Sequence, residues 1–237
     1  MIIFYQLLLA HLIADFPLQF NELFKLKVKS KWGILLHGAI VGVVAILFLL
    51  PYVFCIWMWV AIIILIVSHF LIDYGRVILA RKANLDNLWM FLLDQFCHIG
   101  VVWLISLIIS ISAPSLEIPE LVKSMMSDKV IILTISGFIA AGYFGAILIH
   151  YLKKMFIKGY LSQSLSTKRY GIIERFLVMA LILMPGLFFL FIPTVLITRM
   201  AISRVKEEEY SLFDSITSLS IALIFGLILK IFLNYQS

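Results

Sequence analysis

In the first half of the chain an imidazole and a carboxylate stand four residues apart three times: His11 with Asp15, His69 with Asp73, and Asp94 with His98. On a helix that spacing puts both side chains on one face. His37 adds a further imidazole, Gln19 continues the His11 and Asp15 face, and Gln95 adjoins Asp94. Neutral imidazole nitrogens and carboxylate oxygens together make the donor set of a divalent cation. Without thiolates the set suits zinc, with manganese or iron(II) as alternatives. A cation held this way lowers the pKa of a bound water and polarises ester bonds, the chemistry of metal-dependent hydrolysis. The expected ligands are His11, Asp15, His37, His69, Asp73, Asp94 and His98, with Asp15 or Asp94 as the base that takes a proton from water.

The elements that carry these residues are membrane helices. Of 237 residues, 63% are hydrophobic and only 14% charged, against about 45–50% and about 25% in soluble domains. A mean hydropathy of +1.11 leaves more apolar surface than a compact soluble core can hide. Two cysteines, Cys55 and Cys97, exclude a disulfide scaffold and a Cys-based zinc finger. The net charge of +6 is not a nucleic-acid signal, because the basic residues sit between apolar runs rather than along one face. A bilayer core needs about 20 apolar helical residues. Seven stretches qualify as candidates: 2–20, 33–54, 56–79, 88–111, 130–152, about 172–198, and 212–234. Strand-period alternation is absent, so the expected fold is an all-α, polytopic transmembrane bundle of six or seven spans. Residues 1–112 form a four-helix unit with the His/Asp set, 113–129 a polar extracytoplasmic linker, and 130–237 a C-terminal helical part. Pro185-Gly186 and Pro193 interrupt the sixth stretch, which makes it a broken or re-entrant segment.

Charge asymmetry gives an orientation. Lys25, Lys27, Lys29 and Lys31 follow the first span, Arg76, Arg81 and Lys82 end the third, and Lys153, Lys154 and Lys158 end the fifth. The positive-inside rule puts these in the cytoplasm and the N-terminus outside. The order of the pairs then becomes informative. In the first and third spans the histidine precedes the aspartate, and in the antiparallel fourth the aspartate comes first. All three aspartates therefore fall at one level, with all three histidines about 6 Å deeper. His37, in the first turns of the second span, lies at the same end. Three aspartates meeting in low dielectric repel, and a cation removes that cost. Other readings of the same residues are a metal or proton transit site and a polar cluster that only fixes helix packing. The polar set belongs to the first half alone, without the inverted repeat of many transporters. If the sixth segment re-enters, Glu174, Arg175, Arg199 and Arg204 converge into a polar or phosphate-binding patch; Gln19, Gln95, Glu174, Arg175 and Arg199 are the candidates for binding substrate.

The segments His11 to Gln19 (H-L-I-A-D-F-P-L-Q), Lys31 to His37 (K-W-G-I-L-L-H), Ser68 to Asp73 (S-H-F-L-I-D) and Asp94 to His98 (D-Q-F-C-H) resemble domain-of-unknown-function family 3307, a group of prokaryotic membrane proteins. The second half is similar to that family through Gly171 to Arg175 (G-I-I-E-R) and the stretch from Arg199 to Ser220, and departs from it at Phe213-Asp214-Ser215. More distantly, the chain is similar to inner-membrane metal-dependent hydrolases, which implies metal ligation by the three His/Asp pairs. The expected substrate is amphiphilic, a lipid or polyprenyl phosphate, because the site lies at headgroup depth. The expected partners are membrane lipid and that substrate, not nucleic acid.

Overall fold

The computed structural model describes residues 2–109, 119–160, 165–205 and 211–236. The described residues are helical, with no strand among them. The chain divides into two compact units, residues 1–136 and 137–237. The division falls beyond the stretch 113–129 that the sequence marks as a linker. Within that stretch α6 (Glu120–Ser127) is tied to the first unit, because Gln6 Nε2 donates to Met126 O at 2.7 Å. Residues 110–118 lie outside the described residues.

The first unit is built from α1 (Ile2–Asp15), α2 (Asn21–Lys29), α3 (Lys31–Phe48), α4 (Ile56–Lys82) and α5 (Leu88–Ile109). Local chemistry sets their ends. Pro17 follows the last turn of α1 and forbids its continuation. Ser30 caps α3, its Oγ accepting from Gly33 N at 3.1 Å, and Asn87 Oδ1 accepts from Met90 N at 3.0 Å to open α5. Helix α2 was not expected: the four lysines between 25 and 31 read as a loop, yet Leu23 and Lys27, one turn apart, are both buried.

Among the described residues, six helices are long and apolar enough to cross a membrane: α3, α4, α5, the continuous run Lys129–Phe156, Phe188–Val205, and Leu212–Asn234. The chain is thus a multi-pass membrane protein in its architecture. With 14 residues, α1 reaches only about 21 Å, short of a hydrocarbon core of about 30 Å. Side chains such as Val43, Leu47, Ile63, Leu71 and Leu104 are exposed on the outer faces, as a lipid-facing surface requires.

Close backbone approach holds the first unit together. Gly38 and Gly42 carry a G-x-x-x-G spacing. A Cβ on Gly42 would lie 2.6 Å from Ile66 Cδ1, so α3 packs directly on α4. At Gly33 the fit is tighter still: a Cβ would stand 2.2 Å from the backbone oxygen of Leu26, and only glycine lets α2 fold back onto α3.

The second unit contains α8 (Gly145–Phe156), α9 (Leu165–Leu183), α10 (Ile192–Val205) and α11 (Leu212–Gln236); α7 (Lys129–Ile139), in which the division falls, leads into a π-helical turn, Ala140–Phe144. The sixth apolar stretch is broken as its prolines imply: α9 ends at Leu183, Gly186 adopts a φ of +76°, and a 3₁₀ turn, Phe188–Phe191, precedes α10. At the start of α11, Ser211 N donates to Asp214 Oδ2 at 2.9 Å and Asp214 N to Ser211 Oγ at 3.3 Å, a reciprocal cap.

Candidate metal centre

Each of the seven expected ligands is at most 5% exposed, and all project into one pocket of the first unit. α1 supplies His11 and Asp15, α3 His37, α4 His69 and Asp73, and α5 Asp94 and His98. Asp15 Oδ1 lies 3.3 Å from His37 Nε2, 3.4 Å from His69 Nε2 and 3.6 Å from His11 Nδ1. Asp73 Oδ2 lies 3.4 Å from His69 Nε2 and 3.8 Å from His37 Nε2. Across the pocket, His98 Nε2 is 3.7 Å from Asp73 Oδ1 and 3.6 Å from Asp94 Oδ1. The rings of His69 and His98 stack at 4.1 Å between centroids.

These separations exceed ordinary hydrogen bonds, which end near about 3.2 Å. Both ring nitrogens of His11, His37 and His69, and Nε2 of His98, carry no hydrogen bond. Nor do Asp15 Oδ1, Asp73 Oδ1 and Asp94 Oδ1. Ligand atoms on a tetrahedral cation with bonds of about 2.0–2.1 Å stand about 3.3–3.4 Å apart. His37 Nε2, His69 Nε2, Asp15 Oδ1 and Asp73 Oδ2 have that spacing on three of the four edges given above, and the fourth is 3.8 Å. Three triads, His11/His69/His98, Asp15/His37/His69 and Asp73/Asp94/His98, each bring their donor atoms within 4.8 Å of one another. The buried His/Asp groups can therefore hold a metal ion.

Two basic residues that the sequence marks only as orientation signals belong to this pocket. Lys27 Nζ, on α2, forms an ion pair with Asp73 Oδ2 at 2.7 Å and donates to Gln19 Oε1 at 3.3 Å. Arg76 Nη1 donates to Asp94 Oδ2 at 2.9 Å. The signal that could have found Lys27 is its place one turn after the apolar Leu23, and for Arg76 its place three residues after Asp73 on one helix. Of the expected substrate residues, Gln95 Nε2 donates to Asp94 Oδ2 at 3.1 Å, and Gln19 Nε2 donates back to the Asp15 carbonyl at 3.1 Å. With the imidazoles neutral, three carboxylates against Lys27 and Arg76 leave one net negative charge in the pocket.

One side of this cluster is strongly polar, and the other is mostly apolar, with the buried Gln6 and Ser106 among its side chains. Ile3, Leu7 and Ala10 precede His11; Val41, Val44 and Ala45 follow His37; Met58, Ala61, Ile62 and Leu65 precede His69; Val102, Ile105 and Ile109 follow His98. Because the helices alternate in direction, these residues form one apolar block on the same side of the imidazoles. On the other side lie Gln19, Lys27 and Arg76, then the exposed Lys25, Lys29, Lys31, Arg81 and Lys82.

Glu174, Arg175 and Arg199 belong to the second unit and are buried there. Arg199 Nε stands 3.9 Å from Glu174 Oε2. Arg175 donates through Nε to Ala141 O and through Nη2 to Gly142 O, both at 2.8 Å, and through Nη1 to Ser218 Oγ at 3.2 Å. The π-helical turn frees carbonyls that an α-helix would satisfy, and Arg175 supplies the missing donors.

A family model matches residues 3–126, more than half of the chain. The chain is a member of that family, the proteins of unknown function DUF3307. The DUF3307 match contains every candidate ligand of the pocket together with Gln19, Lys27, Arg76 and Gln95. It ends before Gly171 to Arg175 and the stretch from Arg199 to Ser220. No curated protein and no solved structure matches the chain.

Proposed function

We propose that this DUF3307 protein is a membrane-embedded, metal-dependent hydrolase of an amphiphilic substrate, a lipid or polyprenyl phosphate, with its pocket opening to the cytoplasmic leaflet of a prokaryotic inner membrane and its N-terminus outside. The observation that carries this reading is the set of unbonded imidazole nitrogens and carboxylate oxygens spaced 3.3–3.8 Å apart. His37, His69, Asp15 and Asp73 hold one cation, and their two nitrogens and two oxygens favour zinc. The cation supplies Lewis-acid polarisation and a water acidic enough to lose its proton near neutrality.

The chain's own residues do the rest. Asp94 stands outside that ligand set with Oδ1 unbonded and receives the water's proton. Gln95 and Arg76 hold its other oxygen and fix its orientation. In the reaction the water oxygen bonds to the electrophilic phosphorus or carbonyl carbon, the bond to the leaving oxygen breaks, and the proton passes to that oxygen. Lys27, Arg76 and Gln19 border the polar end and would receive an anionic headgroup. The side beyond the imidazoles carries no charged side chain among residues 2–10, 38–48, 56–68 and 99–109, with the neutral Gln6 and Ser106 buried there, which favours a one-ended catalytic pocket over a transit path.

Elemental analysis of the protein purified in detergent tests the reading. At least one zinc, manganese or iron per chain is expected, lost in His69→Ala. Anionic phospholipid vesicles incubated with the metal-loaded protein should release a water-soluble product that His69→Ala does not generate. Substoichiometric metal in both proteins would remove the proposal.

A further inference from the structure

Asp73 presents its two oxygens to different partners. Oδ2 faces His37, His69 and Lys27, whereas Oδ1 faces His98. His98 Nε2, Asp73 Oδ1 and Asp94 Oδ1 carry no hydrogen bond, and all three residues are more than nine-tenths buried. The two nitrogen–oxygen edges from His98, 3.7 and 3.6 Å, again fit a shared cation better than a hydrogen bond. Arg76 and Gln95 both occupy Asp94 Oδ2, which turns Oδ1 inward. His11 has a ring nitrogen within 4.8 Å of those of His69 and His98 and offers a further nitrogen donor beside this second set.

From this geometry we infer that the pocket holds two divalent cations bridged by Asp73: one on Asp15, His37, His69 and Asp73 Oδ2, the other on Asp73 Oδ1, Asp94 and His98, with His11 beside it. The inference deepens the hydrolase reading and rests on it. It also narrows the substrate. Three carboxylates, Lys27 and Arg76 with two divalent ions give a pocket of three net positive charges. Such a pocket favours a phosphate group, whose attacking and leaving oxygens a pair of cations can stabilise together. The substrate class is then a phosphate ester or anhydride carried on a lipid, rather than a neutral carboxylic ester. In this assignment Asp94 is a ligand and not the proton acceptor.

The test is metal counting on chelator-stripped protein in nanodiscs, titrated with zinc, together with electron paramagnetic resonance of the wild type loaded with manganese(II). Two ions per chain are expected in the wild type, one in Asp94→Asn and in His98→Ala, and fewer than one in Asp73→Asn. The manganese-loaded wild type should show the spin-coupled spectrum of a close pair, which needs no variant to fold. One ion in the wild type, unchanged in Asp94→Asn and without spin coupling, would overturn the two-cation inference and leave the single-metal hydrolase standing, with Asp94 as acceptor. No ion in any form would overturn both.

Discussion

Replacing Lys27 by methionine should move stability and metal affinity in opposite directions. The side chain keeps its apolar stem and loses only the ammonium, which lies 2.7 Å from Asp73 Oδ2. Asp73 is fully buried. Without metal, Lys27→Met leaves that carboxylate without its cation, and breaking a buried ion pair in this way costs about 3–5 kcal/mol. With metal, the sign reverses. A cation bonded to Asp73 Oδ2 at about 2.1 Å would stand about 4 Å from the ammonium. At an effective dielectric of about 20, two unit charges at that distance repel by about 4 kcal/mol, and a divalent ion doubles the figure. A flexible lysine relieves much of this by swinging toward water, so we expect zinc to bind at least about tenfold more tightly to Lys27→Met. The assay is zinc affinity by competition with a chromophoric chelator in nanodiscs, paired with thermal unfolding with and without zinc. Lys27→Met should have a lower Tm than wild type without metal and a larger zinc-induced rise. Lys25→Met, on the exposed face of the same helix, should change neither. Zinc affinity equal to or weaker than wild type in Lys27→Met would refute the placement of the cation against Asp73 Oδ2.

Three further outcomes follow from the packing. Gly33→Ala puts a Cβ 2.2 Å from Leu26 O and 2.5 Å from Lys27 N, both backbone atoms that cannot rotate away; α2 must lift, at about 1–3 kcal/mol, and differential scanning fluorimetry should report a lower Tm together with the tighter zinc binding of Lys27→Met. Arg175→Leu strips donors from the carbonyls of Ala141 and Gly142; at about 1–3 kcal/mol for each unsatisfied group, it should lower the unfolding temperature while leaving the metal content of the first unit unchanged, as elemental analysis would read. Lys153 Nζ bonds both oxygens of Asp214 at 3.0 and 2.9 Å in the buried interior; Asp214→Leu alone should cost about 3–5 kcal/mol, and the double variant Lys153→Met/Asp214→Leu should recover part of that in denaturant-dependent unfolding.

The pocket was unusually legible because helical periodicity and antiparallel alternation are both visible in a chain of letters. His11/Asp15 and His69/Asp73 run one way and Asp94/His98 the other, and membrane helices with short connections must alternate. Those two constraints suffice to bring the six paired side chains to one end of the bundle, the aspartates at one level and the histidines about 6 Å deeper. The break at Pro185-Gly186 was legible for a similarly local reason, since proline removes a backbone donor and Gly186 takes a positive φ. Local chemistry also stops α1 at Asp15, although its apolar run suggests a longer span.

Tertiary structure alone decided the rest. Four lysines beside a membrane span carry the same orientation signal wherever they point, and only the folding of α2 onto Gly33 turns one of them inward to Asp73. The same holds for Arg76, whose partner on α5 is eighteen residues away, and for Arg175, whose partners are carbonyls exposed by a π-helical turn. Composition and spacing determined the membrane bundle and the candidate metal-ligating residues because both depend on repeats along one helix. Which cationic side chains neutralise the carboxylates depends on contacts between helices, and those are fixed by the packing of glycine faces rather than by any pattern within a single element.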